Sequence, residues 1–155
     1  SFTLVTTTSS DAQRLAVVIQ AMSRESGFDV KIQTAEFATS LNMADKGEFE
    51  AYVLAWSGRP DPDGNLYSFH GCKQPLNYAG YCSAETDALL NQSRAERDPV
   101  KRKKIMEQIT AQVMKERPIV YLYHRNWLWA YNGKLSGVRN IPDGLLRVSG
   151  LKLAP

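Results

Sequence analysis

No run of apolar residues in this 155-residue chain approaches the roughly 18 needed to cross a bilayer as a helix. Histidine and cysteine are scarce, with two of each. H-E-x-x-H, C-x-x-C, G-x-S-x-G and P-loop patterns are all missing, and no Ser or Cys has an evident base beside it. These gaps leave little basis for a zinc hydrolase, a nucleophilic hydrolase or an NTPase. Charge of one sign is also lacking. The net charge is only +3, and the local excess at Lys101-Arg102-Lys103-Lys104 reads as the solvated face of a helix rather than a nucleic-acid surface. No repeat, linker or low-complexity stretch divides the chain.

What is present suits one globular α/β domain over residues 1–155, with 43% hydrophobic residues to build a core. Leu4 to Thr8 is β-rich, and Ser10 or Asp11 can cap the helix that follows. Leu15, Val18, Ile19 and Met22 fall at i, i+3, i+4 and i+7, one helical face, and Gly27 ends that helix. Val30, Ile32 and Thr34 alternate with polar residues as in a half-buried strand. A second helix is expected over 38–44, stopped by Gly47, before an apolar strand at Ala51 to Ala55. This β-α-β-α-β order favours parallel strands.

The second half reads differently. Asn65 to Pro75 is expected to be loop with at most one helical turn. Ser83 starts a helix running to about Arg97, and Asp98-Pro99 opens another that buries Ile105, Ile109 and Val113 and stops at Pro118. Ile119 to Tyr123 and Trp127 to Tyr131 read as strands joining the same, then mixed, sheet, with one of Trp127 and Trp129 turned to the core.

The richest segment is Trp56-Ser57-Gly58-Arg59-Pro60-Asp61-Pro62-Asp63-Gly64-Asn65, which follows the apolar strand. Ligands of open α/β sheets sit beyond the carboxyl ends of strands. Trp56 offers an apolar wall there, Gly58 permits close backbone approach, and Arg59 and Asp61 can fix a polar ligand. A plain turn with Trp56 as core filler is the competing reading. Asp61 and Asp63, flanked by prolines and glycine, suit turn formation better than paired acid–base chemistry.

Leu54-Ala55-Trp56-Ser57-Gly58 followed by Asp61-Pro62-Asp63-Gly64-Asn65 resembles the signature loop of the peptide/nickel-type (family 5) extracellular solute-binding proteins of bacterial ABC importers. Asn77-Tyr78-Ala79-Gly80-Tyr81-Cys82, Asp87-Ala88-Leu89-Leu90, Asp98-Pro99-Val100-Lys101-Arg102, Arg117-Pro118-Ile119, Leu122-Tyr123-His124 and Gly137-Val138 continue the likeness in order. The resemblance implies the C-terminal lobe of a two-lobed periplasmic receptor, exported, that captures a peptide-like or other small polar solute and hands it to an ABC permease in the membrane. The missing N-terminal lobe of the same protein would be its partner, with no catalysis, cofactor, metal or nucleic acid. An opening at Ser1 without Met or signal peptide is what a truncated secreted parent would show.

Trp56, Ser57, Gly58, Arg59, Asp61, Tyr78 and Tyr81 are then the candidate ligand contacts. Trp56 falls where the family has a cavity-lining tryptophan. Arg59 falls near an aspartate that pairs with the ligand's α-amine in peptide-binding members. A guanidinium repels an ammonium and invites a carboxylate, phosphate or other acceptor-rich group. In an exported protein, Cys72 and Cys82 are expected to form a disulfide that shapes the rim. Reduced thiols, or a weak metal set with His70, are the alternatives. His124 is assigned a structural hydrogen bond at a strand end. Two other function classes remain: a protein-interaction module presenting Trp56, Tyr78, Tyr81, Trp127 and Trp129, and a small α/β hydrolase.

Overall fold

The structure, a computed structural model, describes residues 1–141 and 143–154. The chain divides into two compact units, Ser1–Trp56 and Ser57–Pro155. The α/β class stands, but parallel and antiparallel pairings occupy separate sheets, of three and two strands.

The first unit runs β1 (Phe2–Thr7), α1 (Ser10–Glu25), β2 (Val30–Ala35), α2 (Phe37–Lys46) and β3 (Ala51–Tyr52). Its sheet has the order β2-β1-β3 and is parallel throughout. Phe2 stands opposite Val30 and Leu4 opposite Ile32 on one side, and Leu4 opposite Ala51 on the other. Side chains two apart share a sheet face, so Phe2 and Leu4 join Ile32, Ala51 and Val53 in the cluster closed by Ala16 and Ile19 of α1. The strand expected at Ala51 to Ala55 is shorter and only half-buried: the ladder ends at Tyr52, with one further bond from Val53 N–H to Val5 O at 3.0 Å.

The inward face of α1 also departs from expectation. Ala16 is fully buried and Leu15 and Ile19 half-buried, whereas Val18 and Met22 are exposed. The side chain that α1 packs fully into the sheet's cluster is the methyl of Ala16 rather than a branched residue. The second helix covers 37–46, and Gly47 closes it in the left-handed conformation.

The second unit contains α3 (Asp63–His70), α4 (Ala84–Ala95), α5 (Pro99–Glu116) and a small antiparallel ribbon of β4 (Leu135–Ser136) and β5 (Lys152–Leu153). Two expectations fail here. Residues 65–70, read as loop with at most one helical turn, belong to a two-turn helix over 63–70, just before which Asp61 Oδ1 accepts the Asp63 N–H at 2.9 Å. Residues 119–123 and 127–131 are not strands. Their apolar alternation is strand-like, but a strand needs a ladder partner, and among the described residues none lies beside them. Val120, Leu128 and Tyr131 are exposed, and Trp127 and Trp129 are both about half-exposed rather than one facing the core.

The first helix is capped at Ser9, without a side-chain bond, rather than by Ser10 or Asp11, which lie inside it, whereas the later helix starts act as read. The Asp98 carboxylate accepts Val100 and Lys101 N–H, each at 2.9 Å, with Pro99 at the first turn. Ile109 and Leu90 are completely buried, and with Ile105, Met106 and Val113 they form the core between α4 and α5. Replacing Ile109 or Leu90 by Ala should cost about 2–5 kcal/mol through lost transfer energy and the cavity left behind. Met114→Ala, at a site 53% exposed, should change stability by no more than about 0.5 kcal/mol. Urea unfolding of the three variants checks the contrast.

Candidate functional site

The loop that enters α3 is bound together by its own side chains. Gly58 adopts φ +74°, a conformation that L side chains rarely take. Arg59 N–H donates to Asn65 Oδ1 at 2.7 Å, and Asn65 Nδ2 donates back to Arg59 O at 2.7 Å. The Arg59 guanidinium folds over the chain, its Nη1 donating to Gly58 O at 2.7 Å and Ser57 Oγ at 3.2 Å. Ser57 and Arg59 are exposed.

Asp61 has a partner inside the second unit. Its two carboxylate oxygens accept Arg102 Nη1 and Nη2 at 2.9 and 2.7 Å, a bidentate pair across 41 residues of sequence. The Arg102 hydrogen bonds, aided by the Asp63 N–H, lower the Asp61 pKa to about 2. Arg102 Nε also donates to Ser93 O at 3.1 Å, so one side chain joins the loop to α4 and α5. The reading of Lys101 to Lys104 as a wholly solvated run therefore fails at Arg102. Next to it, Arg94 Nε lies 3.1 Å from Asp63 Oδ1, and its guanidinium carbon sits 3.8 Å above the Tyr67 ring.

Tyr78 and Tyr81 are half-buried. The Tyr81 hydroxyl donates to the Glu116 carboxylate and pairs with Thr86 Oγ1 at 2.7 Å, so it braces the end of α5. Burial, and then the neighbouring Glu116 carboxylate, push its pKa up. Cys72 and Cys82 form the expected disulfide. Closing that short loop contributes about 2.5–3 kcal/mol by chain entropy. Bonded sulfurs exclude the Cys–His metal set, and no group of three or more ligating residues lies among those described. Asn77 completes the loop, donating to Gly71 O at 2.8 Å and Tyr81 O at 2.5 Å.

His70, at the end of α3, is fully buried between Leu66 O at 3.1 Å and the Tyr121 hydroxyl at 3.0 Å. A carbonyl only accepts, so Nδ1 carries the proton and Nε2 accepts from Tyr121. Desolvation lowers the imidazole pKa and favours this neutral form. His124 lies exposed in the unpaired segment rather than at a strand end. Trp56, 42% exposed, closes the first unit, whereas Ser57, Gly58, Arg59, Asp61, Tyr78 and Tyr81 belong to the second. Within the second unit, a groove of about 290 Å³ is lined by Trp127, Leu128, Trp129, Tyr131, Val138 and Asn140, away from the 57–65 loop in sequence.

Sequence reading did not single out Asn65, Arg94 or Arg102 as organisers of the loop. The Asp-Pro-Asp pattern signalled a turn, but nothing in the sequence paired it with an arginine 41 residues on.

Comparison with known proteins decides what this loop belongs to. Residues 1–77 match the family described as bacterial extracellular solute-binding proteins, family 5 Middle. The oligopeptide-binding protein AppA of Bacillus subtilis (strain 168) is 30% identical over 92% of this chain and 27% of its own length. The chain belongs to the family 5 solute-binding proteins. The dipeptide-binding protein of Escherichia coli (strain K12) is a further family 5 relative, 30% identical over 74% of this chain and 22% of its own length. The solved structure of Bacillus subtilis AppA in complex with a nonapeptide aligns with 99% of this chain and 32% of that one, at 26% identity and a TM-score of 0.79. The chain thus spans about a quarter of the length of the curated family 5 relatives it matches.

Because the Asp61 pKa is lowered on folding, its pairing with Arg102 is fully present above the ordinary carboxylate value of 3.8 and is lost as pH falls through about 2. Carboxyl-carbon NMR should show Asp61 titrating near 2 in the natural sequence. In Arg102→Ala the midpoint should rise toward 3.8, because the largest cause of the shift has been removed.

Proposed function

We propose that this chain is a ligand-holding part of the solute-binding protein of a bacterial ABC importer, and that its 57–65 loop grips a peptide-like or other small polar solute through Arg59. The observation that carries this reading is an exposed arginine, its Nη1 resting on Gly58 O and Ser57 Oγ, on a loop locked at both ends, by Asn65 and by Arg102 to Asp61. A rigid cation at a rim meets a carboxylate or similar acceptor with little ordering cost. The peptides in the names of the relatives supply such a group at the C-terminus. Trp56, Ser57 and Gly58 contribute as neighbours in sequence, and Tyr78 and Tyr81 flank the loop of the disulfide. Asp61 serves by fixing the loop.

The protein works outside the cytoplasm, in the periplasm, binds without chemical turnover, and delivers its solute to a membrane permease. The rest of the receptor, including a second lobe, completes the cavity, and it covers the apolar side chains that residues 120–131 leave exposed. A ligand held by one wall keeps much of its surface in water. Apolar burial is worth about 25 cal/mol per Å² while association costs several kcal/mol.

Calorimetry on the natural full-length protein with trialanine and trialanine amide tests this reading. Arg59→Ala should weaken trialanine by about 1–3 kcal/mol, as for one charged hydrogen bond. Amidating the peptide should cost a similar amount in the natural sequence and little in the variant. Unchanged affinity in Arg59→Ala would remove the proposed contact. This chain alone should bind at least about a hundredfold more weakly than the whole receptor, since roughly half the burial is lost.

A further inference from the structure

The Asn65 carboxamide bonds twice to a single residue. Its Oδ1 accepts Arg59 N–H and its Nδ2 donates to Arg59 O, both at 2.7 Å. Nδ2 also lies 3.3 Å from Asp61 O. Both main-chain polar groups of Arg59 are thereby tied to one side chain. That side chain stands on α3, which Asp63–Arg94 and the Arg94–Tyr67 stack hold to the helical core.

Asparagine is the residue that fits this geometry. It carries a donor and an acceptor on adjacent atoms, matched to the N–H and C=O of one peptide residue. Aspartate keeps the acceptor but sets a carboxylate against the Arg59 and Asp61 carbonyls. Leucine keeps the shape and removes both bonds.

The Arg59 side chain is constrained as well. A Cβ at Gly64 would lie 2.9 Å from Arg59 Cβ and 3.0 Å from Cγ, so the aliphatic stem rests directly on the Gly64 backbone. The stem leads to Nη1, which is turned onto Gly58 O and Ser57 Oγ. Fixed main chain, fixed stem and directed head together give Arg59 a preset direction.

We infer that Asn65 is the positioning residue for Arg59, holding its backbone so that the guanidinium meets the acceptor group of the solute; this rests on the reading of Arg59 as a solute contact. An unheld Arg59 would have to be ordered on binding, and that ordering subtracts from affinity. Asn65 acts through Arg59 and does not itself touch the solute.

Two measurements on the natural full-length protein test this, using Asn65→Asp and Asn65→Leu with thermal melts to establish folding. In amide hydrogen exchange, Arg59 N–H should exchange at least about tenfold faster in Asn65→Leu, since its acceptor is gone. In calorimetry, both variants should bind trialanine about tenfold more weakly, the worth of one or two hydrogen bonds. They should bind trialanine amide almost as the natural sequence does. The loss should also disappear in an Arg59→Ala background, because the two residues act as one unit.

Equal losses for trialanine and its amide, or a loss that persists without Arg59, would mean a merely structural role and overturn the inference. Unchanged Arg59 exchange in Asn65→Leu would overturn it as well. Should the natural protein fail to bind trialanine, the carboxylate reading of the site falls, and the exchange measurement alone decides whether Asn65 holds Arg59. If one of the two variants does not fold, the other carries both measurements.

Discussion

Arg102 reaches from α5 to place its guanidinium edge on both oxygens of Asp61 while its Nε holds the carbonyl of the fully buried Ser93. The second unit depends on that bridge for its shape around the 57–65 loop. The Asp61 side chain is largely exposed, so solvent screens the pair and its net contribution to stability is small. Its consequence is geometric. Once Asp61 is fixed, its Oδ1 can receive the Asp63 N–H, α3 can start, and Asn65 is carried to the place where it meets Arg59.

A short loop rich in proline, glycine and aspartate would by itself populate many conformations. Here each polar group has an assignment. Asp61 takes a cation and a backbone amide, Asp63 takes Arg94, and Asn65 takes Arg59. Arg59, exposed on the loop, rests its stem on Gly64. Such preorganisation suits a binding protein, since the ordering cost is met on folding rather than on capture. The disulfide, Asn77 and the Tyr81–Glu116 pair do the same for the 72–82 loop, and His70 ties α3 to Tyr121.

These arrangements also give internal partners to residues whose type suggests ligand contact. Asp61 and Tyr81 look like ligand contacts because an acid and a tyrosine on a rim usually face outward. Both have internal partners, Arg102 for one and Glu116 for the other. Membership of the family 5 solute-binding proteins carries the overall fold.

Local patterns legible in the sequence turned out to depend on local physics. The alternation at Val30 to Ala35, the Asp98-Pro99 start, the Ile105-Ile109-Val113 face and the Gly47 stop all involve residues within a few positions of one another. The Cys72–Cys82 bond and the ordered motifs of the family were legible for the same reason. The turned face of α1, the short β3 and the unpaired 119–131 segment were not, because a helix face or a strand is decided by what packs or pairs against it. Asp61 and Arg102 lie 41 residues apart, and Tyr81 and Glu116 lie 35 apart. By itself the sequence determined the α/β class, the helix starts at Ser83 and Asp98 and the chemistry available at the loop. Only tertiary structure decided which charges meet, because a guanidinium and a carboxylate select each other by distance and direction in space, and neither is written in sequence spacing.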